Sequence, residues 1–304
     1  MADVPRSVAR TYHHASFDVA GLRAMKRGHT VSVCLPARNE AATVGDIIRT
    51  IRSELVDGAG LVDEILVLDD GSTDATVDAA LDAGARVEST AKLLPECGPG
   101  TGKGEALWKS VFAAEGDLIV WCDADITDFD ARFVVGLLGP LLTRPEVGFV
   151  KGFYDRPVDG MPGTGGRVTE LVARPLISLL FPRLAGIVQP LSGEYAGRRK
   201  VLEEVPFVQG YGVDLGLLVD VSARFGLDAI VQVDLGVRLH RNRPLDELSP
   251  QALAVMQTAF TKANLGLASA HAATLVRPGL LETTIEHVER PRLTRLEAYR
   301  RRPA

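Results

Sequence analysis

Past a polar leader, residues 1–29, the chain alternates between short continuous apolar runs and longer stretches with helical spacing. "TVSVCLPA" (Thr30 to Ala37) is a β-branched run closed by Pro36, and "EAATVGDIIRTIRSEL" behind it repeats its apolar residues at the helical period. The pair recurs as "DEILVLDD" (Asp63 to Asp70), a strand, and "GSTDATVDAALDAGA", a helix that Ser72 or Thr73 is placed to cap and Gly84 to end. A weak strand from Arg86 to Ser89 precedes a glycine-rich loop and a helix from about Lys103 to Ala114. "DLIVWCDAD" (Asp117 to Asp125) is a fourth strand, and its unbroken apolar run predicts burial on both faces.

Strand-helix alternation of this kind predicts a parallel sheet with right-handed crossovers, whose ligands bind at the carboxyl ends of the strands. From "VGFVKGFYDRP" (Val147 to Pro157) onward the order changes: a Gly-rich turn, a helix from about Gly166, a loop, a helix near Val213 to Phe225 and the strand "DAIVQVDLG". After "VRLHRNRP" the last 60 residues pattern as helix and end in a basic tail.

At 304 residues, 46% of them hydrophobic, the chain suffices for one large α/β domain with extensions. A net charge of −5 excludes an overall positive field for nucleic acid or an anionic membrane, so any basic site is local. Cys34, Cys97 and Cys122 lack metal-ligand spacing, and two of them sit in apolar runs, as buried thiols do in a reducing compartment. The first residues lack the apolar core of a signal peptide, and no apolar run approaches the roughly 20 residues that span a bilayer, so a soluble cytoplasmic protein is expected.

"CGPGTGKGEALWKS" (Cys97 to Ser110) looks like a P-loop, but Cys97 stands where the first glycine belongs and Gly104 where the magnesium-binding hydroxyl belongs. A dehydrogenase fails as well, because no G-x-G-x-x-G follows the first strand. What the strands do share is acidic or polar ends: "PARNE" (Pro36 to Glu40), "LDDGSTD" (Leu68 to Asp74) and "CDADITD" (Cys122 to Asp128). Helix capping accounts for Ser72 and Asp74 but not for Asp123 and Asp125, which precede a short non-helical loop. Two carboxylates around one small residue suit a hard divalent cation that keeps sites open for diphosphate oxygens.

These residues resemble nucleotide-sugar glycosyltransferases of the GT-A fold. More narrowly, "GKGEALWKS", "GGRVTELVARPL", "QPLSGEYAGRR", "YGVDLGLLVD" and "LGVRLHRNRPLDEL", over about Thr30 to Leu248, are similar to the glucosyl-3-phosphoglycerate synthases of actinobacteria. The resemblance implies an α/β fold with a mixed central sheet and a C-terminal helical extension. It divides the chain into an N-terminal extension (1–29), a nucleotide-sugar-binding half (30–155), an acceptor-binding half (156–248) and the extension (249–304).

It further implies a homodimer in which glucose passes, with retention, from UDP-glucose to the 2-hydroxyl of 3-phosphoglycerate, with Mg2+ or Mn2+ as cofactor. The donor would be bound by Pro36, Ala37, Arg38, Asn39, Glu40, Asp70, Lys103, Asp123, Ala124, Tyr211 and Asp214, and the metal by Asp125 and His240. Gly166, Arg167, Val168, Thr169, Arg238 and Asn242 would hold the acceptor, and Lys103, Asp125 and Asp214 would carry the chemistry. Read from the residues alone, Lys103 opens a helix, where a cation is disfavoured unless an anion is present; Asp214 caps the next helix as readily as it binds sugar, and Tyr211 lines a pocket as readily as it packs. "PARNE", "LDDGS" and "DAD" depart from the "PALNE", "LDSGS" and "DSD" of the family at the uracil and ribose end, which leaves GDP-mannose open as donor. A polyprenyl-phosphate glycosyltransferase shares the first two motifs but commonly adds membrane-associated helices, and a non-catalytic sugar-nucleotide sensor would not need an intact Asp-x-Asp.

Overall fold

The computed structural model describes residues 10–156, 166–238, 245–266, 271–277 and 280–302. It begins with β1 (Arg10–His13) and α1 (Val19–Met25), and then follows the expected alternation: β2 (Val31–Ala37), α2 (Val44–Ile51), β3 (Glu64–Asp69), α3 (Thr76–Asp82), β4 (Arg86–Ser89), α4 (Lys103–Ala113) and β5 (Leu118–Trp121). Next come α5 (Arg132–Thr143), β6 (Phe149–Asp155), α6 (Arg174–Leu180), β7 (Tyr195–Arg198), α7 (Arg199–Leu202), β8 (Phe207–Val208), α8 (Val213–Phe225) and β9 (Ile230–Val237). The C-terminal part holds α9 (Leu245–Lys262), the antiparallel hairpin of β10 (Ala272–Leu275) and β11 (Thr283–Glu286), then β12 (Glu289–Arg290) and α10 (Glu297–Arg300).

Among the described residues one sheet of eight strands runs in the order β1-β9-β6-β7-β5-β2-β3-β4. It is mixed: β7 is antiparallel to both β5 and β6, and the remaining pairs are parallel. Strand β7 escapes a periodicity reading because four residues buried on both faces show no alternation. Side chains of β2 alternate between two cores: Val31, Val33, Leu35 and Ala37 join the cluster that includes α2 and α5, and Cys34 joins the one that includes α4 and α8. Strand order reverses beside β2, with β3 and β4 on one side and β5 on the other. In such sheets a crevice opens at the carboxyl ends on that line. Register pairs Ala37 with Asp69 and Cys34 with Trp121, so "PARNE", "LDDG" and "CDAD" leave the sheet on one rim.

Three sequence expectations are corrected. The C-terminal region is not wholly helical: the Ala-rich segment around β10 has high helix propensity, but its residues pair with Thr283–Glu286, and β12 pairs with β8. The leader is not merely an appendage, since Arg10–His13 add an edge strand parallel to β9. Ser72 and Thr73 do not cap α3; the Ser72 hydroxyl accepts from the Asn39 amide at 3.0 Å, and the Thr73 amide donates to the Asn39 side-chain carbonyl at 2.8 Å. Two strand ends are thereby tied to each other, with Asn39 in the left-handed conformation (φ 58) that asparagine tolerates. Among the described residues no helix is long and apolar enough to cross a membrane.

Candidate active site

At that rim a cleft of about 300 Å3 is lined by Pro36, Ala37, Arg38 and Glu40 from the end of β2 and by Asp70 from the end of β3. Gly102, Lys103 and Ala106 line it from the start of α4, Asp123, Ala124 and Asp125 from the end of β5, and Tyr211 from the approach to α8. The structure thus brings together every residue expected at the donor except Asn39 and Asp214. Asn39 turns to the 72–73 loop, and Asp214 lies buried behind Lys103. Asp70 uses its carboxylate to hold the cleft in shape, accepting from the Gly102 amide at 2.8 Å and the Thr90 hydroxyl at 3.1 Å.

Lys103 donates to Asp123 Oδ1 at 3.0 Å and stands 3.6 Å from Asp214 Oδ1. The anion that a cation requires at a helix start is therefore supplied within the protein. Burial opposes the ammonium, but Asp123 and Asp214 outweigh it and lift the Lys103 pKa well above the ordinary lysine value. Asp123 responds in kind: burial pushes its carboxyl up, whereas Lys103 and Arg238 together hold it well below the usual range. Arg238, just past β9, is 2% exposed and spans Asp123 (3.3 Å), Asp125 (2.7 Å) and Glu194 (2.9 Å). Its guanidinium also donates to the Tyr154 hydroxyl at 2.7 Å.

Four groups in and beside this cluster carried no sequence expectation: Glu194, Lys151, Tyr154 and Tyr195. Glu194 is fully buried at the lead into β7, and burial, the largest influence, raises its carboxyl above the ordinary range despite Arg238. Lys151, on β6, donates to the Ser192 carbonyl at 2.8 Å, stands 3.8 Å from Asp214 and lies 4.2 Å from the Tyr195 ring centre. Desolvation lowers its pKa to about 8, against the pull of Asp214. A charged residue inside an apolar strand, as in "FVKGFY", is the signal that could have found Lys151; Glu194, just ahead of β7, has none. Tyr154 and Tyr195 gave no such signal. Asp214 Oδ1 is buried between the two lysines, 3.6 Å from Lys103 and 3.8 Å from Lys151, and the Tyr195 hydroxyl lies beside its carboxylate.

A second cavity, of about 170 Å3, opens on the far side of Arg238, where Tyr154 links it to Arg156 through a 2.5 Å hydrogen bond from the Arg156 guanidinium. Gly166 and Thr169 line it, as do Arg156, Gln189 and Ser192, with Asp155 and with Glu170 paired to Arg174 at 2.6 Å. Of the expected acceptor residues, Gly166 and Thr169 thus face this cavity, Arg167 is exposed on the same turn, and Val168 is half-buried beside them. Arg238 serves the acidic cluster instead of lining the cavity, and Asn242 lies outside the described residues, as does His240. Arg156 adds what the sequence reading lacked: its Nε is buried without a hydrogen-bond partner beside an anion-sized space.

Among the described residues no group of three or more His, Cys, Asp and Glu forms a ready metal cage. The donor set nevertheless fits a hard cation bound mainly by a ligand. Asp125, one-third exposed at the cleft mouth, offers carboxylate oxygen where the segment bearing His240 begins, two residues past Arg238.

Fold and cleft together define a nucleotide-sugar glycosyltransferase, and the comparisons with known proteins agree. The profile of glycosyl transferase family 2 matches residues 32–205. The glucosyl-3-phosphoglycerate synthase of Petrotoga mobilis is 44% identical over 96% of this chain and 95% of its own, and that of Mycolicibacterium smegmatis is 53% identical over 84% of each. A solved structure of the Mycobacterium tuberculosis glucosyl-3-phosphoglycerate synthase, in complex with Mn2+, UDP-glucose and phosphoglyceric acid, is 46% identical. It superimposes with a TM-score of 0.85 over 94% of this chain and 98% of that one. The chain belongs to glycosyl transferase family 2 and, within it, to the family of the glucosyl-3-phosphoglycerate synthases.

Proposed function

We propose that this protein transfers glucose from UDP-glucose to the 2-hydroxyl of 3-phosphoglycerate, with retention at the anomeric carbon. The observation that carries the reading is the cleft that unites three acidic strand ends with Lys103, next to a separate polar cavity into which Arg156 brings a guanidinium nitrogen without a hydrogen-bond partner. The similar enzymes bind these two substrates at nearly half identity over almost the whole chain.

The donor diphosphate would lie along Lys103, which exchanges part of its bond to Asp123 for phosphate oxygens and so stabilises the charge that develops on the leaving group. Asp125 and His240 would hold Mg2+ or Mn2+, whose positive charge offsets that of the diphosphate. Asp214, held between the two lysines, would accept from a sugar hydroxyl. Asp123, Glu194 and Asp214 each face a fixed cation, so none is placed as a free nucleophile. Retention then follows from attack on the face the diphosphate leaves. Arg156, Arg167 and Thr169 would grip the phosphate and carboxylate of the acceptor, the compensating charge that an acidic protein must keep local.

A homodimer fits the exposed Leu245, Val276, Leu280 and Leu281 of the C-terminal part, and the supply of both small anionic substrates fits a cytoplasmic protein. The decisive test is a matrix of UDP-, GDP- and ADP-sugars against 3-phosphoglycerate, with products weighed by mass spectrometry. UDP-glucose is expected to give the dominant product. A dominant product from GDP-mannose would overturn the donor assignment, and turnover with no donor would overturn the activity.

A further inference from the structure

Glu105 lies on the first turn of α4, two residues past Lys103, and is fully buried. Its carboxylate accepts from Arg290 Nε at 2.6 Å and Nη2 at 3.0 Å and pairs with Lys109 at 2.9 Å. Arg290 belongs to β12, and its other guanidinium hydrogens donate to the backbone carbonyls of Cys97, Gly98 (3.0 Å) and Pro99 (2.9 Å). One side chain from near the C-terminus thus joins the helix that begins at Lys103 to the loop that leads into it.

That loop has little regular structure of its own. Between Leu94 and Gly102 its regular structure is a single turn of three residues, and the backbone is left-handed at buried Leu94 (φ 52), which costs a β-carbon residue energy unless its surroundings impose it. The surroundings are close: a β-carbon on Gly100 would stand 2.4 Å from Arg290 Nη2, and one on Gly104 would stand 1.8 Å from the Val208 carbonyl oxygen. These two glycines therefore admit protein: Gly100 the Arg290 guanidinium, Gly104 the backbone of β8. Val208 belongs to β8, which pairs with β12 and runs on to Tyr211 and Asp214, so both lips of the cleft meet at Arg290. A buried ion pair is weak evidence for net stability and better evidence for a fixed geometry.

We propose that Arg290 is a positioning residue for the donor site: through Glu105 and the 97–99 carbonyls it sets the loop that places Gly102 and Lys103 at the cleft. The proposal rests on the reading of that cleft as a nucleotide-diphosphate-sugar site. Binding of UDP, followed by calorimetry in wild type and variants of the full chain, tests it. Arg290→Gln is expected to weaken UDP binding about tenfold and to raise the KM for the donor alike, with the KM for 3-phosphoglycerate within about twofold. Gly100→Ala keeps every charge and is expected to show the same donor-selective loss. Arg302→Ala, which removes a C-terminal arginine that donates to the Phe112 and Ala114 carbonyls at the far end of α4, is expected to lower the melting temperature without moving UDP affinity.

Wild-type UDP affinity in both Arg290→Gln and Gly100→Ala would overturn the proposal, and so would donor and acceptor affinities that fall together with the melting temperature. If Arg290→Gln does not fold, Gly100→Ala decides. A wild-type protein that binds no UDP would overturn the reading of the cleft instead. The positioning role is then judged by amide exchange at Gly102, which rises about tenfold or more in the variants if the loop is held this way and stays unchanged if it is not.

Discussion

The two cavities on either side of Arg238 are built on opposite principles. In the donor cleft the central charges are already paired within the protein: Lys103 with Asp123, Arg238 with Asp123 and Asp125, and Asp70 with the Gly102 amide. A ligand there must exchange partners with fixed groups, which favours stabilisation of charge that appears only during reaction. The acceptor cavity keeps a buried donor, Arg156 Nε, without a partner and leans on a turn that begins at Gly166. It has affinity to offer before any chemistry begins. Substitutions in the first should therefore act on turnover and donor binding, and those in the second on the Michaelis constant of the acceptor alone.

The largest expected effect is that of Asp125→Asn. The carboxamide keeps the shape and the bond to Arg238 but loses the charge, and kcat is expected to fall by about 100- to 1,000-fold. Because buried Arg238 keeps Asp123 and Glu194 as partners, the fold should remain intact. A variant within about twofold of wild type would break the comparison at its strongest point. Lys103→Ala comes next: UDP affinity measured by calorimetry is expected to fall about 30-fold, or ~2 kcal/mol, with acceptor binding little changed. Unchanged UDP affinity would mean that Lys103 serves only to neutralise Asp123 and Asp214.

Much of the donor cleft was legible because its residues sit at the ends of strands with continuous apolar runs, where sheet topology dictates that they converge. What stayed hidden was long-range pairing. The short β7 carries no periodicity, and Glu194 just ahead of it reads as one more charged residue until Arg238, from 44 positions later, is seen against it. Asn39 looked like a ligand-binding residue, but its partners lie 33 and 34 residues on. The acceptor side was legible only as a motif, because Gly166 and Thr169 meet Arg156 through a fold that no local pattern encodes.

Arg167→Ala sharpens the other half of the comparison. Its side chain is exposed, and the KM for 3-phosphoglycerate is expected to rise about tenfold, ~1.4 kcal/mol, with UDP affinity unchanged. A similar rise for Arg156→Ala would identify the partnerless Nε as a second grip on the anion. Equal weakening of both substrates in either variant would contradict separate cavities.

The smallest effect expected is one of pH, and it concerns the boundary between the two cavities. Lys151 has a pKa of about 8, below its ordinary 10.5, because burial disfavours its charge; Asp214 pulls it up, Lys103 pushes it down, and Glu194 and Asp123 pull it up more weakly. Between about pH 8 and 10.5 the unfolded chain therefore holds a proton that the folded one has released, so this group's contribution to stability rises with pH in that window. Activity should move the other way. Once neutral, Lys151 still donates to the Ser192 carbonyl, but Asp214 faces one lysine charge instead of two, and its carboxylate is held less firmly for a sugar hydroxyl. The donor kcat/KM is expected to fall about two- to threefold as pH rises from about 7 to 9, with an apparent pKa near 8, while melting temperature does not fall in parallel. Lys151→Met, unbranched and of similar length, should start lower and lose that pH dependence. A wild-type profile that stays flat to about pH 9 would show that Lys103 alone orients Asp214, and the second lysine would be left with a packing role against Tyr195.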